Sequence, residues 1–469
     1  MDNSPFRFRG VIEGFYGVYY TWPERNDLIR FIGQHGYNLY IYAPKDDWHH
    51  RQRWWQPYPV EVEQAFSHAA TSAEAAGVRF CYALHCSVPP GMSCDQAIAA
   101  ICAKLETLYR CGIRSFSLLF DDLELSAEAD LDDLPQQAAR VHAEICNAVW
   151  SWLQRSDSTC TLSMCPTDYY GSLPGIYVHT LGALLDAALA IFYTGPAVCS
   201  PTITTADAFA FAHAARRAPL IWDNYPVNDL AMQSELHLGP IRQRDPDLYQ
   251  AVSGIVVNPM LQAEASKIPL LTYAAYLRDP QRYEPDRAWE QALDLVVGAG
   301  SSLALRHLAS YTEYSCLGLH LPEPVGQRVS AILASWHDDQ PAASQAARQA
   351  LSSYLDQLRE DCYHLKYRLD NLRLRENLLP WIVTLEAQLA LARHALRVLD
   401  CREQRRDEDR ARRQLAQALV ELQPQPKRVA ADALAELVQF VQALAPSPAV
   451  VPQPAPASLS SAPLVTTSA

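Results

Sequence analysis

The chain has 469 residues, 49% of them hydrophobic and 19% charged, with a formal net charge of −13 at pH 7. That length holds a large catalytic-scale domain and at least one more. The acidic balance argues against an electrostatic grip on nucleic acid or on an anionic membrane. No basic leader with an apolar core opens the sequence, and no apolar run approaches the ~18 residues that suggest a membrane span. A soluble, cytoplasmic protein is expected. None of the 12 cysteines forms a Cys-x-x-Cys pair, and Cys81, Cys165 and Cys199 lie within apolar runs. They read as reduced, packed thiols, not as a disulfide framework or a zinc site.

Taken in chain order, β-rich runs recur at 9–16, 38–44, 79–85, 114–122, 161–169, 189–196, 219–226 and 253–259. Most are near-continuously apolar, which predicts strands covered on both faces. Amphipathic helix candidates stand between them at 24–35, 61–76, 95–111, 135–154 and 205–216. Eight such units predict a (β/α)8 barrel over residues 1–277. A doubly wound open sheet is the competing arrangement, but "EGFYG" after the first run is not the G-x-G-x-x-G turn of a dinucleotide site.

After residue 262 the pattern turns helical. Leu351, Leu355, Leu358, Cys362, Leu365, Leu369 and Leu372 form one apolar stripe, and Leu385, Leu389, Ala392, Leu396 and Leu399 form another after Pro380. A helical connecting region (278–345) and a C-terminal helical bundle (346–445) are expected. The run 401–413 reads as a solvated helix face, and the uncharged Pro/Ala/Ser-rich tail (446–469) as disordered.

Polar residues recur at the predicted strand ends: Glu13 and Tyr16; Lys45, Asp46 and Asp47; His85; Asp121 and Asp122; Asp168 and Tyr169; Thr194; Asp223 and Asn224; Asn258. Barrel enzymes build their sites at the C-terminal ends of strands. The run "SFSLLFDDLEL" (115–125) is the sharpest case, an apolar strand ending in two adjacent carboxylates. Metal binding would want converging His or further carboxylates at ligand spacing, and neither H-x-H nor H-E-x-x-H occurs. A helix cap needs only one Asp, and an acidic loop follows. Proton transfer fits better, because neighbouring carboxylates separate their pKa values into one ionised group and one proton donor. Ordinary glycosidases flank the scissile bond with two carboxylates at least ~5 Å apart. Adjacent residues on one strand end suit substrate assistance better, in which a 2-acetamido oxygen is the nucleophile.

"RGVIEGFYG" (9–17), "YNLYIYAPKDDWHHRQRWW" (37–55), "LLFDDLE" (118–124), "CPTDY" (165–169), "YTGPAV" (193–198), "APLIWDNYPVND" (218–229) and "VVNP" (256–259) together resemble the O-GlcNAcase family of retaining β-N-acetylglucosaminidases, glycoside hydrolase family 84. The resemblance implies a (β/α)8 catalytic domain; no metal and no cofactor are expected. It implies that Asp121 polarises the acetamido group and that Asp122 is the general acid and then the base. Tyr169, Asn224 and Trp222 would shape the acetamido pocket, which Thr194 and Val198 would line. Lys45, Asp229 and Asn258, with the backbone at Gly14, would bind sugar hydroxyls. The expected partner is a β-GlcNAc-bearing glycoprotein, glycopeptide or small glycoside, with a possible homodimer through the C-terminal helices. The family often has Glu at the place of Asp168, a one-methylene difference.

Plainer roles exist for the same residues: Trp222 or Tyr169 could pack the barrel rim, Lys45 could pair with Asp46 or Asp47, and Asn258 could be a turn residue. A hyaluronidase-like or chitooligosaccharide hexosaminidase, or an inactive carbohydrate-binding barrel, are the alternative functions.

Overall fold

The computed structural model describes residues 4–87, 91–121, 134–312, 324–422, 427–429 and 433–445. Asp122, the acidic loop after it and the tail from 446 lie outside the described residues.

Eight parallel strands close into a barrel in sequence order: β1 (Phe8–Glu13), β2 (Leu39–Tyr42), β3 (Arg79–His85), β4 (Ser115–Leu119), β5 (Thr161–Cys165), β6 (Ala190–Tyr193), β7 (Leu220–Asp223) and β8 (Gly254–Val257). Closure comes from β1 pairing with β8, Gly10 opposite Val256. Neighbouring residues on a strand serve two cores. Leu118 packs outward under the helices and Leu119 packs inside the barrel, as do Ile12, Ala83, Phe192 and Val256. Burial on both faces explains why the strand sequences do not alternate.

Among the described residues, seven helices cover the outside: α1 (Trp22–Gln34), α2 (Val60–Ala75), α3 (Cys94–Arg110), α4 (Leu134–Ser156), α5 (Ile176–Leu184), α6 (Thr205–Ala215) and α7 (Ala263–Arg278). Thr21, Ser93 and Thr204 start α1, α3 and α6 as reciprocal capping boxes, each satisfying backbone N–H groups that the first turn leaves orphaned.

α8 (Pro285–Val297), α9 (Ala299–Ser310), α10 (Pro324–His337), α11 (Pro341–Tyr367), α12 (Leu372–Glu403), α13 (Glu408–Glu421) and α14 (Ala433–Ala443) gather around a second core. The two leucine stripes are buried there against each other, on α11 and α12. Leu372, counted with the first stripe, is instead 55% exposed at the start of α12. The chain turns between the two helices at 368–371, where the Asn371 side chain accepts the Leu374 N–H at 3.1 Å, and α12 runs on through Pro380. No helix among the described residues is long and apolar enough to cross a membrane.

Candidate active site

The C-terminal ends of the strands surround a cavity of about 360 Å³. It is lined by Asp121 and by all nine residues expected to bind substrate: Gly14, Lys45, Tyr169, Thr194, Val198, Trp222, Asn224, Asp229 and Asn258. Asp122 lies outside the described residues, next in the chain to Asp121.

Asp121 stands two residues beyond the end of β4, 5% exposed, with Oδ2 against the Lys45 ammonium. Burial pushes its carboxyl up. The Lys45 charge and the Lys45 hydrogen bond outweigh that, so the group is held below the ordinary carboxylate range. Oδ1 is buried and has no hydrogen-bond partner among the described residues. A buried ionised carboxylate oxygen without a partner costs free energy, and a cavity-side N–H would satisfy it. Lys45 therefore pairs with Asp121, not with its chain neighbours: Asp46 accepts the Gly17 N–H, and Asp47 accepts the hydroxyls of Tyr42 and Tyr58.

The opposite wall is a chain of hydrogen bonds. Trp222 Nε1 and Asn258 Nδ2 both donate to Asn224 Oδ1 at 2.9 Å, and Asn224 Nδ2 donates to the Val198 carbonyl at 2.7 Å. Asn258 Oδ1 accepts the Gly14 N–H at 3.2 Å, and Asp229 accepts the Tyr16 N–H at 2.8 Å. Asn258 thus lines the cavity and is held from the ends of two other strands. Gly14 is required by close approach: a Cβ there would lie 2.3 Å from the Trp222 ring. Trp222 both packs the barrel interior and faces the cavity. Thr194 donates its hydroxyl to Ala197 O at 2.8 Å, which folds the 194–200 loop over the pocket rim.

Other strand-end residues serve the scaffold. Glu13 accepts from Arg25 at 2.7 and 2.9 Å and from the Tyr40 hydroxyl at 2.6 Å. Asp223 makes a two-pronged pair with Arg244 at 2.8 and 2.7 Å. Asp168 takes the Gly175 N–H at the start of α5, and burial raises its carboxyl. The cavity thus combines a buried ionised carboxylate, an amide-rich wall and aromatic faces, a set suited to a small polar ring bearing an amide.

A family model for beta-N-acetylglucosaminidase matches residues 9–310. The chain belongs to this family. Rat and mouse Protein O-GlcNAcase are each 31% identical to it over 275 residues, 57% of this chain. The match covers 30% of the length of those relatives. A mutant of the Thermobaculum terrenum O-GlcNAc hydrolase has a solved structure 29% identical to this chain, with a TM-score of 0.86 over 93% of this chain and 94% of that one.

In this member of the beta-N-acetylglucosaminidase family the cavity also takes in Cys165, Cys199, Val227, Leu230, Ala231 and Met232, to which the sequence reading gave no role. Leu230 is 60% exposed and has φ +48°, a backbone conformation that costs a branched side chain energy. Cys165 sits within "CPTDY". Val227 sits within "APLIWDNYPVND", and the others are apolar loop residues without periodicity that nothing in the sequence marks as cavity lining.

Proposed function

We propose that this protein is a retaining β-N-acetylglucosaminidase that removes terminal β-linked GlcNAc, O-linked to Ser or Thr of proteins or peptides, by substrate-assisted catalysis. The observation that carries the reading is Asp121: a buried carboxylate held ionised by Lys45 on one oxygen, with the other oxygen unpartnered among the described residues.

In the proposed reaction the free oxygen of Asp121 accepts the N–H of the 2-acetamido group. This raises electron density on the acetamido carbonyl oxygen, which attacks C1 as the bond to the leaving oxygen breaks. Asp122 delivers a proton to that oxygen, and the positive oxazoline ring is stabilised by the Asp121 carboxylate. Asp122 then takes a proton from water, which attacks C1 and reopens the ring. Two inversions leave the β configuration unchanged. Asn224, Trp222 and Tyr169 form the acetamido side with Thr194 and Val198, while Asp229, Asn258, Lys45 and the Gly14 backbone bind the sugar hydroxyls.

The relatives' names motivate the protein-linked substrate, and a cytoplasmic location is proposed with it, to be checked by cell fractionation. A homodimer through the C-terminal helices has to use the faces that the leucine stripes leave outward, where Tyr363 is 46% and Tyr367 59% exposed. Light scattering at assay concentration reports it, and a single-chain mass removes it.

The test is release of a chromophore from its β-GlcNAc glycoside. Asp121→Asn and Asp122→Asn should each lower kcat by about 10²–10⁴-fold. The loss in Asp122→Asn should shrink on leaving groups that need no protonation, and the loss in Asp121→Asn should not. Binding of GlcNAc without turnover by the wild type would indicate a carbohydrate-binding barrel. Small, equal losses in both variants would remove the assigned roles.

A further inference from the structure

β4 ends its ladder at Leu119, yet the carboxylate that matters is on Asp121. A chain two residues past its last strand position ordinarily frays, since no neighbouring strand supplies partners for its peptide groups. Here β5 still supplies one backbone partner, its Cys165 carbonyl accepting the Phe120 N–H at 2.9 Å, and both adjacent strand ends add partners from side chains. On the β5 side the Thr167 hydroxyl donates to the Phe120 carbonyl at 2.8 Å. On the β3 side His85 Nε2 meets the Asp121 carbonyl at 2.9 Å. A carbonyl oxygen only accepts, so Nε2 carries the hydrogen and the ring is the Nε2–H tautomer.

These two carbonyls belong to the peptide units immediately before and after Asp121. Holding both planes fixes the two backbone torsions between them, and so the direction in which the Asp121 side chain leaves the backbone. The second plane also contains the nitrogen of Asp122. We infer that His85 and Thr167 are positioning residues that clamp the two peptide planes flanking Asp121, setting its carboxylate and the start of Asp122 relative to the bound sugar. This inference rests on the catalytic reading of Asp121 and Asp122 given above.

Each jaw of the clamp is itself held. The Thr167 N–H donates to the Tyr177 hydroxyl at 3.3 Å, and that hydroxyl lies 2.6 Å from His142 Nδ1. The His142 ring stacks on Phe120 with centroids 4.1 Å apart, so the residue between the two strand ends is gripped through its side chain as well. His85 is 3% exposed, and its backbone N–H donates to the His50 carbonyl at 3.2 Å. Burial, aided by the Lys45 and Arg51 charges and opposed by Asp121, pushes the His85 pKa down to about 4, so the ring is neutral across the physiological range. A neutral ring supplies the one donor that the Asp121 carbonyl needs. A sequence motif would not reveal this, because each bond runs from a side chain to a backbone atom of another strand end.

Four variants test the clamp: Thr167→Val and His85→Leu remove a donor, and Thr167→Ser and His85→Gln keep one. kcat and KM are measured on two β-GlcNAc glycosides, one with a dinitrophenyl and one with an alkyl leaving group, with thermal melting alongside. For the alkyl glycoside, Thr167→Val and His85→Leu should lower kcat by roughly 10–100-fold with KM within about 2-fold, as expected for ångström-scale misplacement of catalytic groups. The loss should be smaller for the dinitrophenyl glycoside, which needs less help from Asp122. Thr167→Ser and His85→Gln should recover most of kcat. Thr167→Val is near-isosteric, so its result stands even if His85→Leu folds poorly. Wild-type kcat in Thr167→Val and in folded His85→Leu would overturn the clamp. So would losses that follow melting temperature, are equal for both leaving groups and are not recovered by the donor-keeping variants. A wild type that hydrolyses neither glycoside would instead remove the catalytic reading, and the clamp with it.

Discussion

At the scale of single residues, the balance at Asp121 is the quantity most open to test. Burial alone would raise its pKa, and the cation of Lys45 is the leading opposing influence. Lys45→Met removes that cation, so the carboxyl should titrate at higher pH. An Asp121 that must be ionised then becomes competent only at higher pH, and the acid limb of the kcat profile should move upward; an unmoved limb would show that Lys45 does not set this ionisation. Lys45, Asp121, Tyr169, Thr194, Asn224 and Asn258 were legible as polar groups at the ends of apolar runs, whereas Gly14, Val198, Trp222 and Asp229 were reached only through the family resemblance. The same signal misleads elsewhere. Glu13 and Asp223 sit at equivalent strand ends but are consumed by Arg25 and Arg244, partners distant in sequence that no local pattern pairs with them. Leu230 and Met232 were not legible at all, since an apolar loop residue looks the same whether it lines a cavity or covers a core.

Among the elements, the strands were read correctly in number and order; the run 79–85 coincides with β3, and the other seven are two to four residues too long, as with 161–169 against Thr161–Cys165. The surplus residues are the loops that carry the site, and their β-like composition reflects burial, not ladder pairing. α5, "IYVHTLGAL", is short and apolar on almost every side, so its sequence carries little helical periodicity. The helical region also reaches the site. Trp381 on α12 donates Nε1 to the Ser234 carbonyl at 3.0 Å, Lys427 donates to the Gln233 carbonyl at 2.6 Å, and Asn377 caps the start of α7 through the Glu264 and Ala265 N–H groups. The loop so held begins at Asp229 and the Leu230–Met232 turn that line the cavity. Trp381→Phe keeps the apolar packing and deletes one hydrogen bond. It should cost about 1 kcal/mol in urea unfolding and raise KM, because the turn that carries Asp229 loses an anchor; an unchanged KM would separate the helices from substrate binding.

For the molecule as a whole, buried histidines set the pH range of stability. His50, His85 and His142 are buried, and burial lowers their pKa values from 6.5 to about 3, 4 and 4. In the unfolded chain they would bind protons below about pH 6.5, while the folded protein keeps them neutral until near pH 4. The stability they contribute is therefore complete above pH 6.5 and is lost progressively as pH falls toward 4. Melting temperature should drop steadily across that window, and His142→Phe, which keeps the stacking on Phe120, should flatten the drop; a melting temperature constant from pH 7 to 5 would contradict this. The barrel was legible from the sequence because eight doubly buried strands leave few other folds. The second core was legible only as stripes, since the pairing of α11 with α12 depends on contacts that periodicity does not name. The central claim is that the substrate's own acetamido oxygen is the nucleophile, with Asp121 managing it. The most direct measurement is kcat/KM on aryl β-glycosides whose 2-acetyl group carries zero to three fluorine atoms. Each fluorine makes the carbonyl oxygen a weaker nucleophile, so the rate should fall steeply and steadily with fluorine count, whereas a rate indifferent to fluorination would contradict the account.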